Sequence, residues 1–234
     1  MSSFLMLGAI VLLGLPAAVV CLPWALITGD VRPLYQASLV VVRIGLRIGG
    51  IRIDVQGVEN VPAGVACIFM PNHVSNLDPP VLLPLIPGRT SVFLKKSLMK
   101  IPILGSAMRL AEFVPVSRGG TVEGARESVR AAKAVLDKGL HITTFVEGTR
   151  SHDGRLLPFK KGPFYLALET GAPCIPISIW GTETMMGKGS MMIRPGTAHV
   201  VFHPPVWPEQ VGCRDGLMLA VREAIESSLP AEMR

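Results

Sequence analysis

The sequence predicts an α/β domain, a mixed sheet flanked by helices, carried behind an N-terminal two-helix segment associated with membrane. Three observations predict it. Residues 1–29 contain no charged side chain. From Arg52 onward, short apolar runs rich in β-branched residues alternate with stretches of helical period. Glycines then close the helical stretches, Gly139 after one and Gly171 after another. The boundaries that follow are 1–51 for the membrane-anchoring helices and 52–234 for one globular domain, a length sufficient for a single core.

Composition agrees with partial cover by something other than water. The chain is 49% hydrophobic and 17% charged, against roughly a quarter charged in ordinary soluble domains. A net charge of +6 favours anionic partners such as lipid headgroups or phosphorylated substrates. With aromatics at 6% and no basic run interleaved with them, nucleic acid is not expected as a partner. Cys21, Cys67, Cys174 and Cys213 form no CxxC pair, so inert reduced thiols are expected, with no disulfide framework and no metal.

Phe4 to Ile27 is nearly continuous apolar sequence, long enough to cross a hydrocarbon core as a helix, with Pro16 and Pro23 expected to kink or divide it. No basic region precedes it, so it is read as retained rather than as a cleaved signal. Pro33 to Ile51 follows as an amphipathic helix with Arg43 and Arg47 one turn apart. The pair could form a hairpin dipping into one leaflet, or a span followed by a surface helix; two core helices of a soluble protein are the remaining reading. Arg32, Arg43, Arg47 and Arg52 all follow the apolar run, which places the rest of the chain on the cytoplasmic side.

Strands are expected at Val65–Met70, Glu112–Ser117, His141–Val146 and Pro173–Trp180. Helices are expected at Thr121–Lys138, where Val122, Ala125, Val129, Ala132 and Leu136 share a face, and at Lys161–Thr170. Met192–Arg194 and Ala198–Phe202, joined through Pro195-Gly196, suggest a hairpin. Arg214–Ser228 closes the chain as an amphipathic helix with Leu217, Val221, Ala224 and Ile225 inward. Strands alternating with helices imply a sheet covered on both faces.

The chain holds no GxxxxGK[ST], no GxGxxG opening a helix, no GxSxG and no HExxH, which argues against kinases, dehydrogenases, elbow-type serine hydrolases and zinc proteases. It does hold Asn72-His73-Val74-Ser75-Asn76-Leu77-Asp78-Pro79 directly after the first expected strand. Within one continuous helix, positions five apart diverge. Pro79, however, makes Asp78 a helix entry with Asp78 as its N-cap, and a strand-to-helix turn can bring the carboxylate back onto the imidazole. A carboxylate on one ring nitrogen fixes the tautomer and leaves the other to take a proton from a hydroxyl. From spacing alone, a simple cap and an ordinary loop histidine account for the same residues. The second cluster, Glu147-Gly148-Thr149-Arg150, ends another strand: Gly148 permits close backbone approach, Thr149 offers a hydroxyl, and Arg150 suits a phosphate. Both clusters fall at the carboxyl ends of strands, where open α/β sheets bind ligands. Arg118 and the lysines Lys95, Lys96, Lys160 and Lys161 add positive charge nearby.

From about Val65 to Gly181 the chain resembles the glycerophospholipid acyltransferases, and among them the bacterial 1-acyl-glycerol-3-phosphate acyltransferases. Four motifs occur in order: His73 through Asp78, Val116-Ser117-Arg118, Phe145 to Arg150, and Ile175-Pro176-Ile177. The Phe-Lys-Lys-Gly at 159–162 is also similar. Val146 stands where the family usually has proline, and Pro115 where an aromatic is common. The resemblance implies that His73, oriented by Asp78, deprotonates a glycerol hydroxyl of a lysophospholipid. Acyl-CoA or acyl carrier protein would be the co-substrate, with no resident cofactor and no metal. It implies that Arg118, Glu147, Gly148, Thr149, Arg150 and Lys96 hold the acceptor's phosphate, with Glu147 orienting the cations. It further implies a bacterial inner (cytoplasmic) membrane enzyme of phospholipid biosynthesis, with an acyltransferase domain facing the cytoplasm. Another lyso-lipid acceptor, such as a lyso-ornithine lipid, and a non-catalytic membrane lipid-binding protein are the alternatives.

Overall fold

The computed structural model describes residues 2–101, 104–116, 122–187, 190 and 192–234. The chain opens with α1 (Ser2–Thr28) and α2 (Arg32–Ile48), an antiparallel hairpin. Pro16 and Pro23 lie inside α1, which is one helix rather than two. Small residues on α2 and just past its end let the helices meet: a Cβ on Gly45 would sit 2.8 Å from Ile10 Cγ1, and one on Gly49 3.0 Å from Met6 Sδ. The outward side of α1 is apolar and exposed, including Phe4, Leu12, Val19, Trp24 and Ile27. The second helix ends at Ile48, three residues short of its expected end, because Gly50 takes φ +76° and turns the chain.

The sheet has seven strands among the described residues: β1 (Ile51–Gln56), β2 (Ile68–Pro71), β3 (Thr90–Lys95), β4 (Val114–Val116), β5 (His141–Thr143), β6 (Cys174–Trp180) and β7 (Gly196–Phe202). Their order is β1-β7-β6-β2-β5-β3-β4. All neighbours pair parallel except β6 and β7, so β1 and β7 run against the other five. Between strands lie α3 (Asp78–Leu82), α4 (Leu104–Leu110), α5 (Val122–Asp137), α6 (Gly162–Thr170) and α7 (Thr182–Met185), with α8 (Pro208–Val211) and α9 (Arg214–Ser228) closing the chain. Two strands were not expected. β1 follows α2 directly, and β3 lies between β5 and β4. The expected hairpin at 192–202 is absent: β7 pairs with β6 and β1, while Ile193 bonds to Ser3 at the start of α1. Pro195, which has no N–H, starts no ladder there.

Alternate residues of each strand feed two cores. On one face α5, α6 and α9 cover Ile68, Met70 and Ile142 with Phe164, Leu166, Val221 and Ile225. On the other, α2 and α3 cover Phe69, Ile175, Ile177, Ile179 and Phe202 with Leu46, Val81 and Leu82. Each such side chain contributes about 1.5–3 kcal/mol by leaving water. Cys67 and Cys174 are buried within these cores as free thiols, and burial pushes the Cys67 thiol up to about 11.

Candidate active site

Strands β2, β5 and β6 end on the same edge of the sheet, and the residues that follow them converge there. Just past β2, Asn72 locks the edge: its Nδ2 donates to the Ile179 carbonyl at 2.9 Å and its Oδ1 accepts the Ile179 N–H at 2.7 Å. The chain then turns through 73–77 into α3. His73 Nδ1 lies 2.7 Å from Asp78 Oδ2, which also accepts the N–H groups of Val74 and Ser75, both at 2.8 Å. Asp78 is wholly buried, whereas the His73 side chain keeps 13% of its surface exposed. With a buried carboxylate as acceptor, Nδ1 carries the ring proton and Nε2 holds the basic lone pair.

Asp78 was expected as an N-cap. It stands instead at the first residue of α3, and its carboxylate faces backward into the turn that precedes the helix. Pro79 and Pro80 follow it and need no N–H partner at the helix start.

Across the strand pair, Phe145 stacks on the His73 ring with centroids 4.0 Å apart. Glu147, grouped in the sequence with the phosphate-binding residues, is 1% exposed and serves the backbone. Its Oε1 accepts the His73 N–H at 2.6 Å and its Oε2 accepts the Leu157 N–H at 2.8 Å. Burial pushes the Glu147 carboxyl up to about 7, against the pull of those two N–H groups. The His73 carbonyl in turn accepts the Ser151 N–H at 2.8 Å. Thus the turn bearing the histidine is held by the turn that bears Glu147.

Gly148 and Thr149 are exposed and Arg150 is half-buried, at the mouth of this edge. Gly148 takes φ +68°, and a Cβ there would meet Lys160 Cγ at 3.0 Å, so Lys160 lies along the same turn. Val146, in place of the family's usual proline, donates its N–H to the Pro71 carbonyl at 3.1 Å, a bond that proline could not make. Lys96 is exposed at the end of β3, two strand spacings from β2, or about 10 Å along the edge. Strand β4 ends at Val116 on that edge, and Arg118 lies outside the described residues.

Two further contacts escape any reading of local sequence. Thr182 Oγ1 donates to Asp78 Oδ1 at 2.5 Å from the segment after β6. Ser75 Oγ donates to the Met186 carbonyl at 2.7 Å. The available signal was positional, since Gly181-Thr182 follows the carboxyl end of β6 directly. Among the described residues no group of three or more His, Cys, Asp or Glu could hold a metal ion.

The edge holds a histidine–carboxylate pair beside a turn carrying a glycine, a hydroxyl and a guanidinium. Residues 52–180 match the family model described as Acyltransferase. A chloroplastic 1-acyl-sn-glycerol-3-phosphate acyltransferase of Brassica napus is 37% identical over 159 residues, 67% of this chain and 45% of that one. The chain therefore spans less than half the length of that relative. A 1-acyl-sn-glycerol-3-phosphate acyltransferase of Limnanthes douglasii is 31% identical over 218 residues, 92% of this chain and 76% of that one. The crystal structure of the 1-acyl-sn-glycerophosphate acyltransferase PlsC from Thermotoga maritima superposes with a TM-score of 0.80 at 26% identity, covering 96% of this chain and 93% of that one.

Proposed function

The chain belongs to the acyltransferase family, and we propose that it transfers a fatty acyl group from a thioester to the free sn-2 hydroxyl of 1-acyl-glycerol-3-phosphate, forming phosphatidic acid. The observation that carries the chemistry is the 2.7 Å contact between His73 Nδ1 and buried Asp78, which leaves Nε2 to act on substrate. The names of the relatives and of the matched crystal structure support the choice of acceptor.

In this reading His73 Nε2 takes the proton of the acceptor hydroxyl as its oxygen attacks the thioester carbonyl. The C–S bond breaks, the acyl ester forms, and the imidazolium returns its proton to the departing thiolate. Asp78 stabilises the imidazolium between these steps. Acyl-CoA and acyl carrier protein are both suitable donors, because each delivers an activated thioester. Arg150, with Thr149 and the backbone at Gly148, takes the acceptor's phosphate, and Arg118 and Lys96 add positive charge; Glu147 holds the His73 turn in place.

We assign residues 1–51 to membrane anchoring, residues 52–234 to catalysis, and the site to the cytoplasmic face of a bacterial inner membrane. The anchor lies along one leaflet. The second helix is tied to the domain near both ends, by Tyr35, whose hydroxyl accepts the Thr90 N–H at 3.3 Å, and by Arg43, which donates to the Pro84 carbonyl at 2.6 Å. The first helix runs beside it for its length. The tip between them carries the exposed ion pair Asp30–Arg32, and plunging that tip into hydrocarbon would strip both ions of water. Arg32, Arg43, Arg47 and Arg52 suit the anionic cytoplasmic leaflet.

Purified protein in detergent, given palmitoyl-CoA or palmitoyl carrier protein with lysophosphatidate, should yield phosphatidate by mass spectrometry. Free palmitate formed equally with and without acceptor would make the chain a hydrolase. Product from lyso-ornithine lipid but none from lysophosphatidate would assign it a different acceptor.

A further inference from the structure

A buried carboxylate needs partners on both oxygens. Three N–H groups meet Oδ2 of Asp78, from His73, Val74 and Ser75. All of them come from its own turn. The other oxygen is met from 104 residues away, by the hydroxyl of Thr182 at 2.5 Å. Thr182 is wholly buried, and its place is set by the sheet rather than by the turn it serves. It follows Gly181, which takes φ +87° and whose Cβ, if present, would lie 2.4 Å from the Thr197 carbonyl oxygen on β7. No L side chain fits there, so the chain leaves β6 along a fixed course and delivers the Thr182 hydroxyl to Oδ1. The Met186 carbonyl accepts Ser75 Oγ at 2.7 Å and ties the same segment to the same turn a second time.

A hydroxyl has one proton to donate, and this one is committed to Oδ1. Bonds on both oxygens fix the carboxylate plane, whereas bonds on Oδ2 alone would let it swing. We propose that Thr182 is a positioning residue for acyl transfer: by holding Asp78 Oδ1 it sets the plane of the carboxylate and, through it, the aim of His73 Nε2. The proposal rests on the reading of His73 as the base. It gives the segment after β6 a part in the reaction through Asp78.

The test uses full-length Thr182→Val, Thr182→Ser and His73→Ala proteins in detergent, with lysophosphatidate and whichever palmitoyl thioester supports the greater wild-type rate. Loss of a hydrogen bond to a charged acceptor should lower kcat of Thr182→Val about tenfold. A residue that acts only through Asp78 should leave both KM values within about twofold. Thr182→Ser, which keeps the hydroxyl, should restore kcat to within about threefold of wild type. Wild-type kcat in folded Thr182→Val, a raised KM at unchanged kcat, or a serine variant as impaired as the valine variant would each overturn the proposal. Should Thr182→Val not fold, Thr182→Cys takes its place, its thiol being a weak donor of similar volume; reduced kcat supports the proposal and wild-type kcat overturns it. The two levels separate cleanly. An active His73→Ala protein removes the base whatever Thr182 does, while an inactive His73→Ala beside a fully active Thr182→Val removes only the proposal about Thr182.

Discussion

Replacing Asp78 by asparagine separates the geometry of the site from its charge. The side chain keeps its shape, and only one of its two ends must change from acceptor to donor. At Oδ2 an amide nitrogen would face three N–H donors, those of His73, Val74 and Ser75. At Oδ1 it would face only the Thr182 hydroxyl, which can rotate to accept. The amide therefore settles with nitrogen toward Thr182 and its oxygen still accepting the other three. Fold, ring orientation and tautomer all survive, and the negative charge is lost. Unit charges 2.7 Å apart attract by about 6 kcal/mol at an effective dielectric of about 20. A proton half transferred to His73 realises about half of that, roughly 3 kcal/mol, or about 10²-fold in kcat. Asp78→Asn should accordingly lose about 10²-fold in kcat, with KM within about threefold and an unchanged melting temperature. Steady-state kinetics beside thermal unfolding in detergent read all three. A kcat within threefold of wild type would refute the role given to the charge, and unfolding would refute the hydrogen-bond pattern.

Gly148→Ala forces a Cβ against Lys160 at φ +68°; it should destabilise the turn by about 1 kcal/mol and raise KM for lysophosphatidate, as read by melting and acceptor titration. Arg150→Ala should raise KM for lysophosphatidate about tenfold or more while sparing acceptors without a terminal phosphate, which acceptor competition would show. Glu147→Ala leaves the His73 and Leu157 N–H groups without their acceptor, and the melting temperature should fall with a loss of about 2 kcal/mol or more. His141 accepts the Cys67 N–H on Nδ1, and burial holds its pKa below the ordinary 6.5. The unfolded chain then binds the proton more readily, so this contribution to stability is present above about pH 6.5 and is lost as pH falls below it. Melting temperature against pH should be less steep in that window for His141→Asn than for wild type.

The contact between His73 and Asp78 was within reach of the sequence because its immediate parts are local, a strand end, a short turn and a proline that stops Asp78 from sharing a helix with His73; spacing alone left an ordinary cap equally open, and the family resemblance favoured the pair. Thr182 was not. Its partner is chosen by the pairing of β2 with β6, which the order of residues does not state. The part Glu147 plays toward the His73 turn was hidden for a related reason. In the sequence this residue belongs to a turn rich in phosphate-binding groups, and only the packed structure shows both its oxygens committed to backbone N–H groups. Strand β1 has a plain alternation of Ile51, Ile53 and Val55, yet its start merges with the apolar end of α2. The turn signal at Pro195-Gly196 falls where β7 begins, and β7 found its partners in β6 and β1 rather than in the residues just before it.

With His73 as the base of an acyl transfer to a phosphate-bearing lysolipid, the reaction should fail without its imidazole. Wild-type and His73→Ala proteins, compared for phosphatidate formed from palmitoyl thioester and lysophosphatidate, test this most directly. Wild type should form product that requires the acceptor, and a folded His73→Ala protein at least about 10³-fold less. Equal product from the two would contradict His73 as the base.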